Sequence, residues 1–175
     1  MSLTPKGQAR RDALLDAVLA VLARDGVGSV THRAVAAEAG VPVSAATYYF
    51  ATIDELYVSA LRRATAEQVA LFAGIASADL TALARVLHAW VFDNRAAAIA
   101  QYELMFLAMR RDALRDDAEL WYRALERAID PDNVEPARTR VTALAVDGLL
   151  LRMLWLGDPA TPEGTEEALR QIMDR

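Results

Sequence analysis

Helix-stopping residues are scarce in this chain, and where they fall constrains its fold more than any other feature. Across 175 residues there are eight glycines and six prolines, against 36 alanines and 23 leucines. Alanine and leucine lose little conformational freedom in a helix, so the few breakers mark helix ends. After a polar arm over residues 1–8, an apolar stripe of Leu14, Leu15, Val18, Leu19, Val21 and Leu22 begins near Ala9 and stops at Gly26. Thr31 suits the N-cap of a second helix, His32–Ala39, which Gly40 ends. Val41-Pro42 opens a third short helix, closed at Phe50. A long helix follows from Asp54 to about Ile75. Further helices are expected at Asp79–Asn94, Ala96–Arg111, Ala113–Ile129, Glu135–Leu156 and Pro162–Met173, with breaks at residues 130–133 and 157–159. No alternating strand pattern and no fixed-period repeat appears. The expected fold is all-α, about nine helices, with a short-helix head over residues 1–52 and a long-helix body over 53–175.

The absences narrow the function. The chain has no cysteine, which removes disulfides, thiolate metal sites and cysteine nucleophiles. Its two histidines form no Glu-x-x-His pair, and no Gly-x-Ser-x-Gly or phosphate-binding loop is present. No catalytic residue, metal site or cofactor is therefore expected, and the chain does not read as an enzyme. No apolar run approaches the roughly 20 residues of a membrane span, and no secretory leader is evident. A soluble protein of the cytoplasm, with no membrane partner, is the expectation. The net charge of −5 looks unfavourable for nucleic acid until it is divided. Residues 1–50 carry 5 basic and 4 acidic side chains, whereas 51–175 carry 14 and 20. The acidity belongs to the body.

One segment carries specific information. Residues 31–50 place Ala36 four positions before Gly40, the spacing of a helix-turn-helix. Alanine lets the second helix cross closely, and glycine accepts the positive φ of the turn. Val35, Val41 and Ala46 are expected to bury between the helices. The second helix then turns its free face outward, as entry into a major groove about 12 Å wide requires. By spacing alone, an ordinary corner between two helices fits equally well. The first 56 residues, however, resemble the N-terminal domain of the TetR family of transcriptional regulators through Thr31, Val35, Ala36, Ala39, Gly40, Val41, Tyr48, Tyr49, Phe50, Glu55 and Leu56. Ile53 departs from the family pattern, where a phosphate-binding lysine is usual, and so do Pro42 and Thr47.

The resemblance implies a homodimer that binds a double-stranded, pseudo-palindromic operator and responds to a small-molecule effector, most simply as a repressor. It implies a base contact from Arg33, whose guanidinium matches guanine bidentately. Val43, Ser44 and Thr47 are expected on the exposed face of the recognition helix. Tyr48 and Tyr49 are expected to reach phosphates, and so are Thr31, His32 and Thr52, with Thr31 equally well placed as an N-cap. Lys6, Arg10 and Arg11 give the arm three positive charges free to lie along the duplex. The effector cavity implied by the family has apolar walls, for which the candidates are Phe72, His88, Trp90, Tyr102, Met105, Phe106, Met109, Trp121 and Tyr122; Asn94, Gln101 and Glu103 are nearby polar groups. For any single one of these, core packing is the better explanation. The last two long helices resemble the family's dimerisation pair, with Val141, Leu144, Ala145, Gly148, Leu149, Arg152 and Met153 on one side. The competing reading is a helical small-molecule sensor or protein adaptor with weak or lost DNA binding, consistent with the absence of Lys or Arg from Pro42 to Thr52.

Overall fold

A computed structural model describes residues 4–73, 75 and 79–174; residues 1–3 of the expected arm and 74 and 76–78, around the end of the long fourth helix, lie outside the described residues. Nine α-helices run in the order α1 Pro5–Asp25, α2 His32–Glu38, α3 Val43–Tyr49, α4 Ile53–Ala73, α5 Leu80–Phe92, α6 Arg95–Leu107, α7 Arg115–Ile129, α8 Pro136–Leu156 and α9 Pro162–Met173. Short 3₁₀ turns occupy Val27–Ser29 and Asp112–Leu114. There is no strand among the described residues, and no described helix is long and apolar enough to cross a membrane.

Helix ends follow the capping chemistry. Thr4 accepts a hydrogen bond from the Gly7 N–H at 3.2 Å, and Pro5 sits in the first turn. That pair starts α1 four residues before the expected Ala9, so Lys6 and Arg10 belong to a helix and not to an arm. Thr31, Asp79 and Thr161 cap α2, α5 and α9 in the same way. Gly157, at φ 66°, closes α8. The expected Ala96–Arg111 helix ends early. Met109 and Arg110 hydrogen-bond to Phe106 and Leu107, three residues back, tightening the last turn, and Arg111 is extended. No glycine or proline announces that break.

The chain divides into two compact units. The first takes the described residues of Met1–Thr65 and Ile99–Ala118; the second takes those of Ala66–Ala98 and Glu119–Arg175. The expected division at residue 52 is therefore not where the packing divides, because the start of α4 and most of α6 share a core with the head. In the first unit α1 packs on α2 and α2 on α3, burying Leu14, Leu15, Val18, Leu22, Val35, Ala36, Ala46, Phe50, Leu56 and Leu61. In the second unit α5 packs on α9 and α8, and α8 on α9, around Leu87, Val91, Trp121, Leu125, Val146, Leu150 and Leu169.

Candidate nucleic-acid interface and effector-binding body

The turn between α2 and α3 is built on three residues. Ala36 is fully buried, Gly40 adopts φ 65°, and the Val41 N–H returns to the Ala36 carbonyl at 2.9 Å. Val41 is only half-buried, unlike Val35 and Ala46; Pro42 behind it carries the chain outward at φ −61°, ψ 147°. α3 turns Ala46 inward, with Phe50 buried just beyond its end, and leaves Val43, Ser44, Thr47 and Tyr48 exposed. Tyr49 is half-buried and holds Tyr48 edge-on, ring centroids 5.2 Å apart. Thr47 donates its hydroxyl to Ser44 and Val43 carbonyls of its own helix at 3.2 and 3.4 Å.

The other candidate DNA contacts vary in freedom. Arg33 is exposed at the start of α2 and makes no ion pair among the described residues. Thr31 accepts from the Ala34 N–H at 3.1 Å, and Thr52 from the Glu55 N–H at 3.1 Å. Each hydroxyl keeps its own proton to donate, so capping and a phosphate contact are compatible. Glu55 reaches back to the Ala51 N–H at 2.7 Å, completing a reciprocal cap at the start of α4. Two expectations change. The Nε2 of His32 donates to the Phe50 carbonyl at 2.7 Å, tying α2 to the end of α3. Arg11 lies over the Phe50 ring at 5.2 Å and donates to Ser59 at 3.2 Å, so it braces the head from within. Lys6 and Arg10 remain exposed on α1.

A joint inside the first unit was not foreseen. The Tyr57 hydroxyl on α4 donates to the Val27 carbonyl at 3.0 Å. The Glu103 carboxylate on α6 accepts from the Val27 N–H; burial raises its carboxyl above the ordinary range and that hydrogen bond partly opposes the rise. Its Oε2 is buried with no partner among the described residues. Arg111 lies over the Tyr57 ring at 5.6 Å and is paired with Asp54. Burial also raises the Tyr57 hydroxyl. Arg62 grips the buried Asp117 with two hydrogen bonds of 2.8 and 3.1 Å. Only the tertiary structure brings Tyr57 and Glu103 onto Val27, in the segment entering α2.

The expected pocket residues divide between the units. Tyr102, Met105, Phe106 and Met109 belong to the first, and Phe72, His88, Trp90, Trp121 and Tyr122 to the second. Tyr102 and Met105 are buried, but Phe106 and Met109 are exposed, Met109 by 75%. They lie on the outer surface where α6 unwinds, a correction to their expected place in an apolar wall. Phe72 lines a cavity of about 220 Å³ with Val69, Ala124, Arg127 and Ala128. Trp90, Trp121 and Tyr122 form an aromatic cluster, with centroids 6.4 and 5.1 Å apart. The Tyr122 hydroxyl donates to Asp147 at 2.7 Å; burial first, and that carboxylate second, push its ionisation far upward. His88 stacks on Phe92 and meets Thr165 of α9 at 3.2 Å. Thr165 spends its proton on the Thr161 carbonyl, so Nδ1 of His88 is the donor and the ring fastens α5 to α9.

On the second unit, Val141, Leu144, Ala145 and Gly148 are exposed along α8. Val141 and Ala145 border an open groove of about 750 Å³ with Ala168 and Ile172 of α9. Met153 is fully buried and faces its own core, a correction. Arg152 pairs with Asp158 at 2.6 Å. Trp155 and Leu156, 73% and 67% exposed, were missed; Trp155 continues the seven-residue step from Val141 through Gly148.

Comparison with known proteins agrees with this architecture. Residues 14–60 match the family described as bacterial regulatory proteins, tetR family, and residues 76–175 match the tetracyclin repressor-like C-terminal domain. No curated protein matches. Among solved structures, a TetR-family member from Streptomyces coelicolor is 33% identical over 93% of this chain and 97% of that one, with a TM-score of 0.82. The multidrug binding protein EbrR complexed with ethidium is 34% identical over 93% of this chain and 98% of that one, TM-score 0.78. The same protein complexed with imidazole covers 93% and 94%, with 34% identity and TM-score 0.76.

Proposed function

The chain belongs to the TetR family of bacterial regulatory proteins, and we propose from this that it is a homodimeric transcriptional repressor of the cytoplasm, released from a pseudo-palindromic operator by a small, largely apolar effector. One observation carries the DNA half of the reading: α3 exposes Val43, Ser44, Thr47 and Tyr48 together while burying Ala46. That face suits thymine methyls and hydroxyl hydrogen bonds in the major groove. Arg33 supplies the guanine contact. Tyr48, Tyr49, Thr31, Thr52, Lys6 and Arg10 hold phosphates and set register without reading sequence. Two heads then enter successive major grooves about 34–36 Å apart.

EbrR, the relative complexed with ethidium and with imidazole, supports a drug-like aromatic effector. Such a compound acts only by favouring one conformer over another. The test is titration of labelled DNA from the region upstream of the gene at several salt concentrations. One duplex is expected to bind at about 10⁻⁸ M or tighter, weakening steeply with salt. A second reading, a sensor or adaptor without DNA binding, rests on the lack of Lys or Arg from Pro42 to Thr52 and on Ile53. Flat or absent binding to every upstream fragment selects it.

A further inference from the structure

Besides Glu103, the first unit holds two buried polar side chains with an atom that its own packing does not use. The Gln101 side chain on α6 is 2% exposed and Thr65 on α4 is 3% exposed. Gln101 Nε2 and Thr65 Oγ1 have no hydrogen-bond partner among the described residues. Buried polar atoms in folded proteins are nearly always paired, and the exceptions require an explanation. The joint with the head does not provide one. Glu103 serves that joint, and Gln101, two residues earlier, lies about 200° away around the helix. Resting on the effector reading above, we propose that Gln101 and Thr65 are the polar anchors of the effector, and that the effector is an aromatic compound carrying a hydrogen-bond acceptor, such as a neutral ring nitrogen or a carbonyl, for the Gln101 amide N–H.

The low exposure of both residues has a consequence. A ligand reaches them only in a more open conformer than the one described. The unpaired amide and hydroxyl disfavour the closed conformer, and a ligand that pairs them favours the open one. The anchors thereby determine both which compounds bind and how far binding shifts the equilibrium.

The test compares wild type with Gln101→Met and Thr65→Val, both close in shape to the native residue, using two probes. Benzimidazole at pH 8 presents a neutral acceptor nitrogen; the ring nitrogen of ethidium is quaternary and has no lone pair. Wild type is expected to bind both. Gln101→Met is expected to lose about tenfold in benzimidazole affinity, to keep its ethidium affinity within about twofold, and to melt higher than wild type without ligand. Thr65→Val is expected to melt higher as well. Unchanged benzimidazole binding by Gln101→Met, with ethidium still bound, overturns the anchor and leaves the effector reading standing. A Gln101→Met protein that melts lower than wild type overturns it too, because the amide then has a structural partner such as buried water. A wild type that binds neither probe overturns both this assignment and the drug-like effector reading.

Discussion

Glu103 and Arg33 show how differently a charged side chain acts when the fold buries it and when it does not. Burial raises the Glu103 carboxyl above its ordinary value of 4.5, so the native state holds that proton more tightly than the unfolded chain. Below pH 4.5 the group is protonated in both states and its contribution to stability is intact. As the pH climbs through the raised native value, the charged form must be carried in a desolvated site, and that contribution is lost. Glu103→Gln removes the charge while its carbonyl oxygen can still accept from the Val27 N–H. Thermal melts across pH 4–8 are expected to show the variant gaining on wild type as pH rises; a constant gap rejects the assignment. Arg33 faces solvent, and the role proposed for it is a contact with DNA. Arg33→Ala is expected to cost about 1–3 kcal/mol at one base position and relax preference there. Tyr49→Phe is expected to weaken binding evenly across sequences, because a lost phosphate contact carries no base information. Binding-site selection on both variants separates the two roles.

Among the elements, the α2–α3 turn depends most on one residue. Gly40 sits at φ 65°, yet an added Cβ meets nothing within 4 Å. Gly40→Ala therefore costs only backbone strain, about 1–2 kcal/mol, measurable by denaturant unfolding. A much larger loss means the turn has contacts that the geometry does not contain. α8 presents the opposite case, an element whose apolar stripe is not used up by its own unit. Val141, Leu144, Gly148 and Trp155 recur at three, four and seven residues while Val146, Leu150 and Met153 fill the core behind them. A helix apolar on both sides reads as buried on both sides. Leu144→Glu with Trp155→Ala is expected to convert a micromolar dimer to a monomer in sedimentation velocity without unfolding it. A wild type that sediments as a stable monomer rejects the dimer directly.

For the whole molecule, the charge distribution and the proposed dimer bear on the same binding behaviour. The head residues 1–50 carry one net positive charge, so a single head gains little from phosphate. In the proposed dimer two heads held by one body bind as a linked pair, so that affinity depends on dimerisation more than on charge. The logarithm of affinity is expected to fall with log salt by about 0.9 per phosphate neutralised, with Lys6→Ala and Arg10→Ala each reducing that slope by about 1. An unchanged slope removes the α1 residues from the interface. Monomerising substitutions in α8 are expected to abolish operator binding although they lie outside the head; a monomer that still binds tightly breaks the link between the two.

The helical class, the positions of most helix ends and the helix-turn-helix are written in local rules: propensity, capping at Thr31, and a glycine where the backbone must turn left-handed. The exposed face of α3 is legible for the same reason, since a seven-residue helix with Ala46 inside leaves Val43, Ser44 and Thr47 outside. Periodicity assigns residues to faces of a helix, but it does not say which face meets which neighbour. Periodicity therefore puts Met153 on the surface and Phe106 and Met109 in a wall, where the fold does the reverse. The packing of the whole chain is what gives α6 a core in common with the head, brings Glu103 and Tyr57 together at Val27, and buries Gln101 Nε2 and Thr65 Oγ1 without partners among the described residues. Those facts depend on residues 30 or more positions apart coming together, and no local pattern encodes such a meeting.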